Sequence, residues 1–280
     1  MGYIFKEDVL KMEFIYKKLV IAIVGGFLLF SPTWAKEKPF GLLGLIHSAS
    51  QGDAIAQYNL GVLYEHGRGV PKSYAKAVEY YKKSAQQNFA PAESNLGALY
   101  VKGLGVPQSY LVAVKYFKEA AKQGFDEGEY NLAVAYALGQ GVKQSYTKAV
   151  EFYKKAAAQG NQWAQENLGV AYLQGDGVAQ SYARALHYFR KSQMQGNADA
   201  AFDLGVLYYE GRGVKRNYGR AFHYFKQAAD KGDALAQFNL GRMYWLGQGT
   251  KVSFKQGTNY FQKAAAQGNP RATFILKNYI

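Results

Sequence analysis

A leucine followed by a small residue returns at Leu60, Leu96, Leu132, Leu168, Leu204 and Leu240, always 36 residues apart. Tyrosine keeps the same interval at Tyr64, Tyr100, Tyr136, Tyr172, Tyr208 and Tyr244. A Gly-x-Gly pair does so from Gly67/Gly69 to Gly247/Gly249. Six in-phase copies therefore fill residues 53–268. A fixed period of this size marks a stack of short supersecondary units, each burying its apolar face only against its neighbours.

Each copy reads as two helices. In the first, Ala56, Leu60, Leu63 and Tyr64 fall on one face of a helix A over about 54–66. Gly67 stops that helix, because glycine takes the left-handed conformation at no steric cost. After the turn, Ser73 caps a helix B, and the same position reads Ser109, Ser145, Ser181, Asn217 and Ser253 in the later copies. Helix B buries Tyr74, Ala77, Tyr81 and Ala85. The small residue at 61, 97, 133, 169, 205 and 241 is expected to let helices A and B approach closely. The flanks read as half-repeats: 36–52 as an N-terminal capping helix like helix B, and 269–280 as a C-terminal one like helix A.

The run A-x-A-x-x-N-L-G-x-x-Y-x-x-G-x-G-V-x-x-S-Y-x-x-A-x-x-Y-x-x-A-A-x-x-G resembles the Sel-one-like repeat, the 36-residue relative of the tetratricopeptide repeat. The resemblance covers about residues 40–280. It implies an all-α fold, a right-handed α-solenoid of six helix-turn-helix repeats with half-repeat caps. It further implies a non-enzymatic adaptor or scaffold, of a kind that bacteria commonly export and that in some intracellular pathogens assists host-cell entry or binds cell-wall enzymes. A cysteine-rich branch of the family is penicillin-binding and carries a disulfide in each repeat; this chain has no cysteine.

Residues 1–35 read as a secretory signal: Lys17 and Lys18 precede the apolar run Leu19–Phe30, and Thr33 and Ala35 suit a signal-peptidase site. Cleavage after Ala35 would leave Lys36 first, and Met12 is an alternative start. The expected location is the periplasm or the exterior. Absence of cysteine excludes disulfides, thiolate metal sites and a cysteine nucleophile. The charge is basic, 34 Lys and Arg against 20 Asp and Glu, which favours anionic partners such as cell-wall polymers, lipid head groups or acidic proteins; nucleic acid is not expected of an exported chain.

Two motifs invite an enzymatic reading. Ser73–Lys76 and Ser145–Lys148 match Ser-x-x-Lys, the nucleophile motif of penicillin-recognising enzymes. The serine recurs as a cap, however, and no Ser-Asp-Asn or Lys-Thr-Gly element accompanies it. His187 and His223 occupy one helix B column that elsewhere holds Glu79, Lys115, Glu151 and Asn259, as a solvent face would. No cofactor or metal is expected.

The expected binding surface is the helix A groove. One column reads Asn59, Asn95, Asn131, Asn167, Asp203 and Asn239, a ladder suited either to clamping an extended peptide backbone or to setting the stacking of repeats. Around it the sequence varies while the packing columns stay fixed. Tyr58, Tyr130, Trp163, Phe202, Tyr209, Phe238, Arg242 and Trp245 are candidate anchors there, since aromatic and arginine side chains carry most interface energy. The expected partner is a protein or extended peptide, such as a cell-envelope enzyme or a host factor, bound by a monomer. A lysine-rich stripe on helix B (Lys82/Lys83, Lys118, Lys154/Lys155, Arg190/Lys191, Lys226, Lys263) is expected on the outer, convex face. It leaves an alternative open, a module that holds anionic cell wall or lipid; a β-lactamase-like enzyme is the other.

Overall fold

The computed structural model describes residues 41–279; the expected signal segment and cleavage after Ala35 lie outside them. The described residues form an all-α solenoid of helix pairs. The chain divides into two compact units, one running to Gln159 and one from Gly160 onward. In the first, α1 (Leu42–Ser50) precedes three pairs: α2 (Ala54–His66) with α3 (Tyr74–Ala85), α4 (Ala90–Lys102) with α5 (Tyr110–Lys122), and α6 (Asp126–Leu138) with α7 (Tyr146–Ala158). In the second, α8 (Gln162–Gln174) pairs with α9 (Tyr182–Met194), α10 (Ala198–Glu210) with α11 (Tyr218–Asp230), and α12 (Ala234–Leu246) with α13 (Phe254–Ala266). The unit closes with α14 (Pro270–Tyr279). Within each unit every helix packs on its neighbours in the chain, and α4 also touches α6.

The six turns share one construction. Helix A ends at a left-handed glycine, as at Gly67 (φ 69°). Six residues on, the Ser73 N–H donates to the Tyr64 carbonyl at 2.8 Å, and the equivalent bond recurs in all six copies at 2.8–3.0 Å. The Ser73 side chain then accepts from the Lys76 N–H, opening helix B, and its five counterparts do the same. Each such cap is worth about 0.5–2 kcal/mol. The caps of helix A were not legible from the glycine-ended reading of the preceding helix. They are Asp53, Asn161, Asn197 and Asp233. At Phe89 and Phe125 no side-chain cap exists; instead the Phe89 ring packs 5.4 Å from that of Tyr58.

The core of each pair is a leucine on helix A and a ring on helix B. Leu60, Leu96, Leu168, Leu204 and Leu240 are fully enclosed, as are Tyr81, Phe189, Phe225 and Phe261. The small helix A residue lies directly over the ring. A Cβ added at Gly61, Gly97, Gly169, Gly205 or Gly241 would fall 2.5 or 2.6 Å from a ring carbon, so the close approach of the two helices depends on the missing side chain. The second glycine of the turn does something different. A Cβ at Gly141 would lie 2.3 Å from the backbone carbonyl oxygen of Tyr110, and one at Gly105 2.5 Å from that of Tyr74. These glycines seat one repeat on the helix B start of the repeat before it. Gly69, in the first copy, has open space instead.

A polar clamp closes the far end of most pairs. Gln87 reaches the Gln57 side chain, Gln123 reaches Glu93, Gln159 reaches Glu129, Gln195 reaches Gln165 and Gln267 reaches Gln237, all at 2.8–2.9 Å. In the fifth copy the acceptor is lost to Ala201, and Lys231 takes the glutamine's place, donating to the Gly196 carbonyl. At the ends of the described residues, Ala49 of α1 is buried against Leu60, and Ala272 and Ile275 are buried on α14.

Candidate functional site

The helix A side of the first unit carries a linked polar group. The Tyr81 hydroxyl donates to Glu65 Oε2 at 2.7 Å and accepts from Asn95 Nδ2 at 3.2 Å. The Tyr58 ring lies 5.7 Å from that of Tyr81. Burial, with Glu65 beside it, raises the pKa of Tyr81, and burial raises that of Tyr58; Tyr81 stays protonated and donates to Glu65. Asn131 Nδ2 donates to Ser94 Oγ at 3.1 Å, tying the third helix A to the second. Asn59 is half-buried. Tyr130 is buried, its ring 6.1 Å from Tyr153.

Glu127 stands on the same helix A, and its charge reaches Tyr58. Its Oε2 is buried without a hydrogen bond. Burial, reinforced by neighbouring Asp126, pushes its carboxyl up to about 8. A carboxyl whose folded pKa is raised contributes stability that is full below its ordinary value of 4.5 and is lost as pH rises through about 8. Glu127→Gln mimics the protonated form. It is expected to match the parent chain near pH 4.5 and to be progressively more stable above it, with the gap largest beyond pH 8. Urea melts of the two proteins at pH 4.5, 6.5 and 8.5 measure this; a gap that does not grow with pH refutes the account.

In the second unit the same columns also face inward. Phe202 is 3% exposed and packs 5.5 Å from Phe225; Phe238 is 6% exposed and packs 5.7 Å from Phe261. Asp203 is wholly buried. Asn167 and Asn239 each donate to the carbonyl four residues back, at Trp163 and Leu235, both at 3.0 Å. The Tyr209 hydroxyl donates to Gln248 Oε1 at 2.9 Å. The Arg242 guanidinium sits 5.9 Å from the Tyr209 ring, and burial lowers its pKa. Trp245 meets Phe254 and Phe261 edge-on at 5.9 and 5.2 Å. Trp163, Tyr209, Arg242 and Trp245 are half-buried and retain some surface.

The ladder of amides is thus not uniform. Asn95 and Asn131 bond to other side chains, and Asn167 and Asn239 back-bond to their own helix. The aromatic column at Tyr58, Tyr130, Phe202 and Phe238 lies over the helix B ring in every copy that carries it.

The helix B side holds a second ladder, built on the tyrosine column that recurs from Tyr64 to Tyr244. Tyr64 stacks on Tyr80, Tyr100 on Tyr116, Tyr136 on Phe152, Tyr172 on Tyr188, Tyr208 on Tyr224 and Tyr244 on Tyr260, with centroids 5.6–5.9 Å apart. Cations cover the inner rings: Lys76 over Tyr64 at 4.9 Å, Lys148 over Tyr136 and Arg184 over Tyr172 at 5.3 Å. The lysines of the two Ser-x-x-Lys matches are therefore engaged with tyrosine, and their serines with the helix backbone. His187 and His223 are exposed, and among the described residues no group of three or more His, Asp or Glu is placed to hold a metal ion. No described helix is long and apolar enough to cross a membrane.

Comparison with known proteins follows from this geometry. The Sel1 repeat family model matches residues 54–89, 90–125, 126–161, 164–197, 198–233 and 234–269. A protective antigen present in uropathogenic Escherichia coli strains, displaying an SLR fold, is 37% identical with a TM-score of 0.78. The match covers 85% of this chain and 51% of that one, so this chain spans about half the antigen's length. A Sel1 repeat protein from Oxalobacter formigenes is 30% identical with a TM-score of 0.73, over 79% of this chain and 90% of that one. An immunity protein from Pseudomonas aeruginosa, 23% identical with a TM-score of 0.51 over 76% and 81% of the two chains, shares the fold. No curated protein matches the sequence.

Proposed function

The chain belongs to the Sel1 repeat family, whose members mediate protein–protein interaction, and from that premise we propose that it is an exported scaffold holding a protein or extended peptide on its helix A side. One observation carries this reading. The helix A positions that keep surface differ from copy to copy, while the packing columns beneath them are fixed. Trp163 occupies a position that elsewhere holds Ile55, Pro91, Glu127, Asp199 and Leu235, a diversity that packing alone does not require. Within the second unit Tyr209, Arg242 and Trp245 extend the proposed contact, with Phe202 and Phe238 as its floor; in the first unit Tyr58 and Asn59, with Tyr130, are the proposed contact positions. The remaining ladder members, Asn95, Asn131, Asn167, Asp203 and Asn239, fix the shape against which the partner fits.

Export rests on the signal-like segment before Lys36. N-terminal sequencing of protein from the native cell envelope is expected to begin at Lys36.

The binding test begins with crosslinking in the native cell to identify the partner. Trp163→Ala is then expected to weaken its binding by about 2 kcal/mol, the cost of losing a well-seated aromatic anchor, with an unchanged melting temperature. Unaltered affinity would move the contact off the helix A side.

A further inference from the structure

The second unit contains a polar pocket of about 580 Å³ lined by Arg190, Tyr208, Gly219, Arg220, His223 and Tyr224. It lies on the helix B side and is independent of the helix A contact proposed above. We infer that this pocket is a binding site for a phosphate monoester group, gripped by Arg190 and Arg220 over the hydroxyl of Tyr208.

The chemistry begins at that hydroxyl. Arg190 Nη2 donates to it at 2.7 Å and Arg220 Nη1 at 3.0 Å. Tyr208 is 2% exposed, so its ring is fixed in the core with its oxygen at the pocket floor. A phenol that accepts from two cations has its single O–H left to donate elsewhere. Each guanidinium spends one N–H on the phenol and keeps the others. Among the described residues no carboxylate pairs with either arginine, whereas Arg212 pairs with Glu210 and Lys226 with Asp230. Two unneutralised guanidiniums held in fixed orientation suit an oxyanion that takes paired hydrogen bonds. Burial alone would raise the Tyr208 pKa, yet the bonds and charge of the two arginines bring it below the ordinary value.

His223 completes the lining. Gln193 donates to the Gln227 carbonyl oxygen at 2.9 Å, which leaves the Gln227 amide nitrogen to donate to His223 Nε2 at 3.0 Å. The imidazole then carries its proton on Nδ1, a further donor.

Two sequence facts set this copy apart. At the two columns that carry Arg190 and Arg220 in the Tyr208 copy, the sequence reads Lys82 and Val112 for Tyr100, Lys118 and Lys148 for Tyr136, Lys154 and Arg184 for Tyr172, and Lys226 and Gln256 for Tyr244. Arginine stands on both sides only at Tyr208. Second, Gly219 replaces Ala75, Leu111, Thr147, Ala183 or Lys255 of the other copies. Glycine weakens a helix, and packing does not demand it here: a Cβ would meet only Asn217 Oδ1, at 3.4 Å. Its effect is to leave the pocket open.

The test uses the full chain with two probes, glycerol 3-phosphate in solution and phosphatidylcholine vesicles containing phosphatidic acid. Both present a phosphate monoester, one free and one on a lipid surface. Saturable binding of either is expected, weakened about tenfold by Arg190→Gln or by Arg220→Gln and abolished by Gly219→Leu, which fills the pocket and improves the helix. Binding to vesicles alone assigns a lipid source; binding of glycerol 3-phosphate as well assigns a soluble one. Lys154→Gln with Lys155→Gln, twice the loss of charge of either arginine variant but elsewhere on helix B, is expected to leave the affinity within twofold. No saturable binding of either probe overturns the inference. So does a lysine pair that matters as much as the arginines, or a Gly219→Leu protein that melts normally and binds normally.

Discussion

Gly141→Ala is expected to destabilise the first unit by about 3–5 kcal/mol, whereas Gly69→Ala costs only about 1–2 kcal/mol. Both glycines sit at the same place in the turn, with the same φ of 71°, so the left-handed backbone penalises alanine equally at each. The difference is what a methyl group would meet. At Gly69 there is open space, while at Gly141 the Tyr110 carbonyl oxygen stands 2.3 Å away. Backbone in a helix cannot yield as a flexible side chain does, so the third repeat must lift off the second. Denaturant melts of the two variants give the comparison; equal losses would mean that this glycine serves only its own turn.

The second large effect is at Trp245. Trp245→Ala is expected to cost about 3–5 kcal/mol, as large-to-small core replacements do, and so to lower stability whether or not a partner is present. The indole lies against Phe261 and Phe254 and above Gly257, where a Cβ would come within 2.0 Å of Trp245 Cδ1. Every other copy has alanine at that helix B position: Ala77, Ala113, Ala149, Ala185 and Ala221. The tryptophan and the glycine are therefore one exchange of volume between facing helices. Gly257→Ala alone should cost about 1–3 kcal/mol by overpacking. Trp245→Leu together with Gly257→Ala recreates the Leu173–Ala185 pair of the fourth copy. It should be more stable than the two single changes added together. Melting temperatures of the two singles and the double form the cycle, and simple additivity would show that the two residues do not share a space.

What was legible in the sequence is what recurs. The serine caps, the left-handed glycines, the leucine and the small residue over the ring occupy fixed columns because each solves a local problem that every repeat has. The sequence could not distinguish a column that varies because it meets different partners from one that varies because the space beneath it varies. Phe202 and Phe238 look like recognition residues by that criterion, yet they lie over Phe225 and Phe261 in the core. Exchanges made once, such as Trp245 with Gly257 or Lys231 for a glutamine, depend on reading two columns together. So does the convergence of Arg190 and Arg220 on Tyr208, which joins residues from two helix B segments and the helix A between them. The glutamine column itself, from Gln87 to Gln267, recurs at 36 residues and was available to the sequence reading.

The polar clamp has a consequence for how such a chain can change length. Gln87 and Gln57 lie in the same copy, so each copy carries both halves of its own fastening. In the first unit the seat between copies is made by Gly105 and Gly141 against backbone atoms, which are the same whatever the side chains are. A gene segment encoding 36 residues, cut at any point in this frame and duplicated in tandem, would bring its internal fastening with it and find a compatible seat on arrival. Unequal crossing-over within the first unit can therefore lengthen or shorten the array without a period of unfolded intermediates, and new surface residues can then diverge on a copy that already folds.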